Sequence, residues 1–285
     1  MQQSQLEPAS DTGILTDEQK EHFLQYGHVI LPACFSRAAA QELIDDAYLQ
    51  LGYDSQDPTT WVLPLAFLFP SRPFPIREFA PKLWKAICEV VGGQERMTSS
   101  DCGMGQFVIN FWRGRDEPWE EPSPRVKGWH KDGNFFRHFL DSPEQGLLVV
   151  PLLSDVSTKG GGTVFAADSV PVVARFLAEH PEGVLPRDFD FQSLVEQCHD
   201  FREFTGQAGD VALLHPYMLH SFSQNHLGVP RFITNININL ADPMNFDRAD
   251  ASEYSLVERA ILRGLDVERL SFQPTSPREQ FDPKK

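Results

Sequence analysis

Helices first, then many short strand-like runs punctuated by Gly and Pro, predict a β-barrel or β-sandwich flanked by helices. Three observations carry this expectation. Apolar residues recur at helical spacing before residue 92, and alternating or continuous apolar runs take over after Gly103. No repeat, low-complexity tract or linker divides the 285 residues. One domain is therefore expected over 15–272, with 1–14 a loose N-terminal segment and 273–285 a C-terminal tail.

Taken in order, Thr16 and Gln19 form a capping-box pair that opens a short helix, and Gly27 supplies its left-handed stop. His28–Leu31 reads as a strand ended by Pro32. Ala40, Leu43, Ile44, Ala47 and Leu51 then share one face of an amphipathic helix closed by Gly52. From Tyr53 to Pro75 prolines and aromatics alternate too densely for a long helix. An irregular segment over the core is expected there, or a wall of a substrate pocket. Pro81 stands near the start of a helix that Gly92 and Gly93 stop. Residues 106–112, 147–153, 163–166, 211–214 and 231–240 are strand candidates, and Gly160–Gly162 is a turn. A helix follows Ser169 to about His180, and another carries Leu194, Val195 and Cys198. Ser255 and Glu258 box the start of a last helix, which Gly264 ends.

Composition narrows the function. Hydrophobic residues make up 41% and charged residues 23%, enough for a sizeable core. Lys+Arg 25 against Asp+Glu 40 gives a net charge of −15, so nucleic acid and anionic membrane are repelled on average. The four cysteines, Cys34, Cys88, Cys102 and Cys198, have no C-x-x-C spacing and read as reduced thiols. Neither a secretory leader nor an apolar run of about 20 residues is visible. A cytoplasmic protein acting on a small molecule is expected; oligomeric state is not legible.

The chemistry concentrates around Gly128-Trp129-His130-Lys131-Asp132-Gly133. In an extended segment His130 and Asp132 project from the same face. Such a pair supplies two ligands of a 2-His-1-carboxylate triad, which leaves positions open on a non-haem Fe(II). The pair alone is weak, because 9 histidines and 40 acids give about one His-x-Asp/Glu by chance. His180-Pro181-Glu182 is such a chance occurrence, at a helix end. The partner segment adds weight: the strand 211–214 leads to His215 and His220, and Arg231 opens the next strand. A third ligand and a guanidinium are what a chelating 2-oxo dicarboxylate requires, the arginine neutralising the distal carboxylate. On spacing within the segment, His215 and His220 compete.

Over most of its length the chain resembles the phytanoyl-CoA dioxygenase family of Fe(II)/2-oxoglutarate oxygenases. The likeness runs from Leu15-Thr16-x-x-Gln19, Phe23, Gly27 and Val29-x-Leu31-Pro32 through Trp129-His130-x-Asp132, Gly161-Gly162-Thr163 and Asp168-Ser169. It continues to His215-Pro216-x-x-x-His220, Gln224-Asn225 and Arg231. The resemblance implies a mainly β fold with flanking helices, a cupin-like double-stranded β-helix (jelly roll). It further implies Fe(2+) held by His130, Asp132 and His220, and 2-oxoglutarate clamped by Arg231, whose spacing selects His220 over His215. Implied too is an O2-dependent hydroxylation or related oxidation of a C–H bond, releasing succinate and CO2. Asp132 argues against halogenation, which needs that ligand position vacated. Where many members carry Ser or Gly two residues after the distal histidine, this chain has Phe222, so a second cosubstrate contact is unassigned.

Other positions carry weaker expectations. Asn110 is a candidate cosubstrate contact. Asn235, Asn237 and Asn239 share the face of Arg231 if the strand is regular. Since asparagine is a poor strand former, they hydrogen-bond a polar ligand or loops, or else form an exterior polar face. The charged, Pro-rich segment 114–127 reads as a lid or a solvated loop. The competing functions are a non-catalytic jelly roll that binds a metal or small molecule, and a cupin-type dioxygenase that does not use 2-oxoglutarate.

Overall fold

The computed structural model describes residues 13–99 and 102–281. The expected loose segment 1–14 therefore lies almost wholly outside the described residues. At its border Ile14 and Leu15 donate their backbone N–H groups to Glu89.

Local rules set the helices. The capping box at Thr16 opens α1 (Asp17–Tyr26), and Gly27 ends it at φ 67°. Ser36 caps α2 (Arg37–Leu51) and Gly52 closes it. A four-residue α3 (Ile76–Phe79) precedes α4 (Pro81–Val91), which has Pro at its first position and Gly92 beyond its last. α5 is Ser169–Ala178, and the Ser255–Glu258 box opens α6 (Leu256–Gly264). The expected helix around Leu194–Cys198 is instead a 3-10 stretch, Phe191–Gln197.

The strands are β1 (His28–Leu31), β2 (Leu65–Leu68), β3 (Gln106–Asn110), β4 (Leu147–Pro151), β5 (Thr163–Ala166), β6 (Phe201–Phe204), β7 (Val211–Leu214), β8 (His220–Phe222) and β9 (Arg231–Ile238). Antiparallel pairing builds a six-stranded sheet, β1-β7-β4-β9-β3-β2, and a three-stranded sheet, β6-β5-β8. This is the two-sheet, mainly β jelly roll with flanking helices that the resemblance implied. Pro-rich 53–75, expected to be irregular, contributes β2 at the edge of the larger sheet, where a strand needs partners on one side only.

Sidedness follows from register. Ile109 and Phe232 face each other across β3 and β9, and the Phe111 and Phe232 rings pack on Tyr48 of α2. That face belongs to the helices, where burying each Phe contributes about 1.5–3 kcal/mol. The alternate residues, Asn110 and Arg231, are also paired and look towards the small sheet. Phe165 of that sheet reaches across to His28, ring to ring at 4.7 Å. The interior between the sheets is thus lined by alternate residues of both.

Residues 273–281, expected to be a tail, lie along 135–141 and 181. Phe136 and Gln280 form a β-bridge, Arg278 pairs with Asp141, and Arg137 pairs with Glu279.

Candidate metal centre

His220 opens β8, and its residue pairs with Phe165 of β5 on the interior face. His130 lies opposite it on the other side: each donates its backbone N–H to the other's carbonyl, both at 3.0 Å. This reciprocal bridge, rather than a full strand at 128–132, brings the two imidazoles to a centroid separation of 4.3 Å. Asp132 Oδ1 lies 3.4 Å from His130 Nε2 and 3.6 Å from His220 Nε2. One donor atom from each of the three residues lies within 4.8 Å of the others.

Hydrogen bonds orient both rings. His130 Nδ1 is 2.8 Å from the Gly128 carbonyl, and His220 Nδ1 is 3.0 Å from the Met218 carbonyl. A carbonyl can only accept, so each Nδ1 carries the proton and each Nε2 presents a lone pair. His220 Nε2 is buried and has no hydrogen-bond partner. Burial pushes its pKa down to about 4, helped by the neighbouring His130. Burial also opposes ionisation of Asp132, but the two histidines and Lys131 outweigh it and hold the carboxyl at about 2. His130 is drawn down by burial and more strongly up by Asp132 and the Gly128 carbonyl, with a net rise. An ionised carboxylate beside a neutral imidazole with an unused lone pair is the donor set a divalent Fe, Mn or Co ion takes. The residues fit the ion.

His215, the competing histidine, is on the helix side. Its Nδ1 accepts from Tyr217 N at 3.0 Å and its Nε2 lies 3.2 Å from the Val257 carbonyl of α6. Both ring nitrogens are thus used, and it takes no part in the cluster.

Arg231 is 1% exposed. Its Nε donates to the Gly161 carbonyl at 2.6 Å and one Nη to the Val108 carbonyl at 2.9 Å. The other Nη is buried without a partner, and no carboxylate among the described residues is within ion-pair reach. Burial pulls the group down to about 9, with Glu203 resisting. A buried guanidinium with two carbonyls, a vacant arm and no counter-ion is prepared for an anion. Gly161 is needed here: at φ 79° a Cβ would strike the Asn110 amide at 2.5 Å.

Asn110 lies opposite Arg231 in register but is largely engaged. Its Nδ2 donates to the Ser223 carbonyl at 3.2 Å and its Oδ1 accepts from Arg113 N at 3.0 Å. Phe222 lies 4.1 Å beneath the Arg113 guanidinium. The segment 114–127 is folded onto the strand that carries His220. Gln224 bonds the Glu120 N–H and the Pro118 carbonyl, and Ser221 donates to the Lys127 carbonyl.

One buried residue beside the cluster is not announced by the sequence. Lys131, between the two ligands, turns the other way and is buried. Its Nζ lies 2.9 Å from His138 Nδ1, 3.2 Å from Gln145 Oε1 and 3.3 Å from the Asp132 carbonyl. Burial lowers it to about 7 against the pull of Asp132 and Glu144. Alternation along the segment predicts the opposite facing, but nothing local reveals the buried imidazole that receives it.

Asp132 also borders a cleft of about 740 Å³ lined by residues of 69–74, 97–99, 102–106 and 235–239.

Fold and site together define a double-stranded β-helix carrying a His-x-Asp…His donor set with a buried arginine behind it. No protein-family model matches the sequence, and no curated protein matches it. Solved structures do align over most of the chain. The epimerase SnoN in complex with Fe3+, alpha ketoglutarate and nogalamycin RO is 14% identical, with 83% of this chain and 88% of that chain covered and a TM-score of 0.49. EctD from S. alaskensis with 2-oxoglutarate and 5-hydroxyectoine is 14% identical, with 81% and 78% covered and a TM-score of 0.47. HygX from Streptomyces hygroscopicus with nickel, 2-oxoglutarate and hygromycin B bound is 16% identical, with 80% and 88% covered and a TM-score of 0.46. Residue roles in this chain rest on its own geometry.

Proposed function

We propose that this protein is a non-haem Fe(II)- and 2-oxoglutarate-dependent oxygenase, of the phytanoyl-CoA dioxygenase-like kind, that oxidises a C–H bond of a small molecule. The observation that carries the reading is a pair of buried, unused groups facing the same interior: the Nε2 of His220 and one Nη of Arg231. Leaving either empty costs on the order of 1–3 kcal/mol or more. One calls for a cation and the other for an anion, and an iron-chelating dicarboxylate satisfies both.

His130, Asp132 and His220 would hold the metal, with both imidazoles locked through Nδ1. What bound Fe(II) would supply is O2 activation coupled to decarboxylation of 2-oxoglutarate to succinate and CO2. Arg231 orients the distal carboxylate of the cosubstrate through its vacant arm, while its two carbonyl contacts prevent rotation away. Val108 and Ile233, paired beside it, keep that end dry. Lys131 tethers the segment between the ligands from behind.

The test is anaerobic addition of Fe(II) and 2-oxoglutarate to the metal-free chain. A weak visible charge-transfer band should develop only with both present, followed by Fe(II)-dependent succinate formation on admitting air. A cosubstrate-independent oxygen uptake would point instead to a cupin-type dioxygenase.

A further inference from the structure

The face of β9 that carries Arg231 changes character as it leaves the interior. Arg231 and its partner Asn110 are deep, Ile233 and Val108 form an apolar belt, and Asn235 and Gln106 open the rim. Beyond them Asn237 and Asn239 continue the same face. Burial falls in step: Arg231 and Ile233 are buried, Asn235 is half-buried, and Asn237 and Asn239 are exposed. Asparagine at three alternate positions weakens a strand, so the run requires a compensating interaction.

That interaction is not within the fold. Among the described residues, the side chains of Asn235 and Asn239 have no hydrogen-bond partner, and Asn237 receives only a long contact from Gln145 at 3.4 Å. All three asparagines line the cleft that Asp132 borders. The remaining lining mixes apolar Phe69, Phe74, Met97 and Met104 with Ser71, Thr98 and Gln106. Among its described lining residues there is little free charge. Arg72 lies 4.0 Å over the Phe74 ring and pairs with Glu42 at 3.2 Å, while Asp132 belongs to the donor cluster.

We infer that the substrate is an elongated, uncharged, oxygen-rich molecule that combines hydroxyl or ether oxygens along one edge with an apolar part, such as an aryl glycoside. This rests on the oxygenase reading above, since Asp132 places the reacting end of the cleft. An amide both donates and accepts, and so does a hydroxyl, so the two match without a charge. Alternate strand residues stand about 6.6–6.8 Å apart, so Asn235 to Asn239 spans about 13 Å, which sets the length of the edge. A polyphosphorylated acyl-CoA finds no unpaired cation among the described lining residues, and a free amino acid finds no matching pair of charges.

The experiment is calorimetric titration of the full, metal-free chain at pH 6.5 with naringin and phlorizin, both neutral aryl glycosides, and with octanoyl-CoA and L-leucine. At least one glycoside should bind with a Kd under about 1 mM, at least about tenfold tighter than either comparator. Asn235→Leu and Asn239→Leu should each weaken it about five- to tenfold, the equivalent of one neutral hydrogen bond. Both variants should keep the Fe(II)–2-oxoglutarate band. The inference is overturned if neither glycoside binds, if octanoyl-CoA or L-leucine binds more tightly, or if both variants bind like the parent chain. Glycoside binding without the charge-transfer band in the parent would uphold the cleft and sink the oxygenase reading; the band without glycoside binding does the reverse.

Discussion

His215 and His220 stand on either side of one turn, and both are buried with pKa values driven down, to about 3 and about 4. Burial is the largest cause in each. Their surroundings differ completely. His215 points towards α1 and α6, where Phe23 packs near its ring and Tyr217 N and the Val257 carbonyl satisfy both nitrogens. His220 points between the sheets, with Nδ1 satisfied and Nε2 facing Asp132 unbonded. A buried, shifted histidine is therefore no mark of function in this protein. What sets His220 apart is an unused lone pair aimed at other donors. The same contrast separates two arginines. Arg96 pairs with Glu258 at 2.9 Å, whereas Arg231 is buried with no counter-ion among the described residues.

The contrast breaks first, and most completely, at the ligands. His220→Ala and Asp132→Ala should each lower Fe(II) affinity by more than about 100-fold, beyond the loss of an outer hydrogen-bond partner, and abolish succinate formation. Fe(II) titration followed by the charge-transfer band measures this; metal binding unchanged in His220→Ala would transfer the role elsewhere.

Arg231→Ala comes next. Removing one member of a buried charge-assisted pair costs about 2–5 kcal/mol, so the apparent KM for 2-oxoglutarate should rise roughly 30- to 5,000-fold with iron binding retained. Arg231→Lys should recover part of this, because an ammonium lacks the planar fork. Steady-state kinetics at varied 2-oxoglutarate decides, and an unaltered KM in a folded variant removes the cosubstrate assignment.

His215→Ala should invert the pattern. It forfeits two hydrogen bonds and leaves a void on the helix side, for a loss of about 2–4 kcal/mol in denaturant unfolding, while Fe(II) still binds. Equal loss of iron and stability would mean the two histidines are not separable.

The smallest effect is on pH. His215 titrates near 6.5 when unfolded and near 3 when folded, so the folded state binds fewer protons. The stability due to its neutral form is present above about pH 6.5 and is lost as pH falls towards 3. Between pH 7 and pH 5 it should amount to about 2 kcal/mol. His28, lowered to about 4 by burial, adds in the same direction. A His215→Asn chain should show a visibly flatter profile of stability against pH over that interval.

What the amino-acid order determines alone is what neighbours in the chain can settle. Thr16 with Gln19, Ser255 with Glu258, and the glycines at 27, 52 and 92 specify helix ends through bonds and backbone angles within four residues. The two-residue step from His130 to Asp132 is legible in the same way, whereas the choice of His220 over His215 and the part given to Arg231 come from the resemblance to the phytanoyl-CoA dioxygenase family. The structure alone decides which side each strand shows. β2 lies in a Pro-rich stretch, β6 has charged residues at two of its four positions and β8 is only three residues long, so it is their sheet partners that make them strands. The allocation of His215 to the helices and His220 to the interior, the partners that occupy Asn110, the Lys131–His138 contact and the docking of 273–281 are of the same kind. Facing depends on register across strands, a one-residue slip reverses it, and register is fixed only when the two sheets close on a common interior.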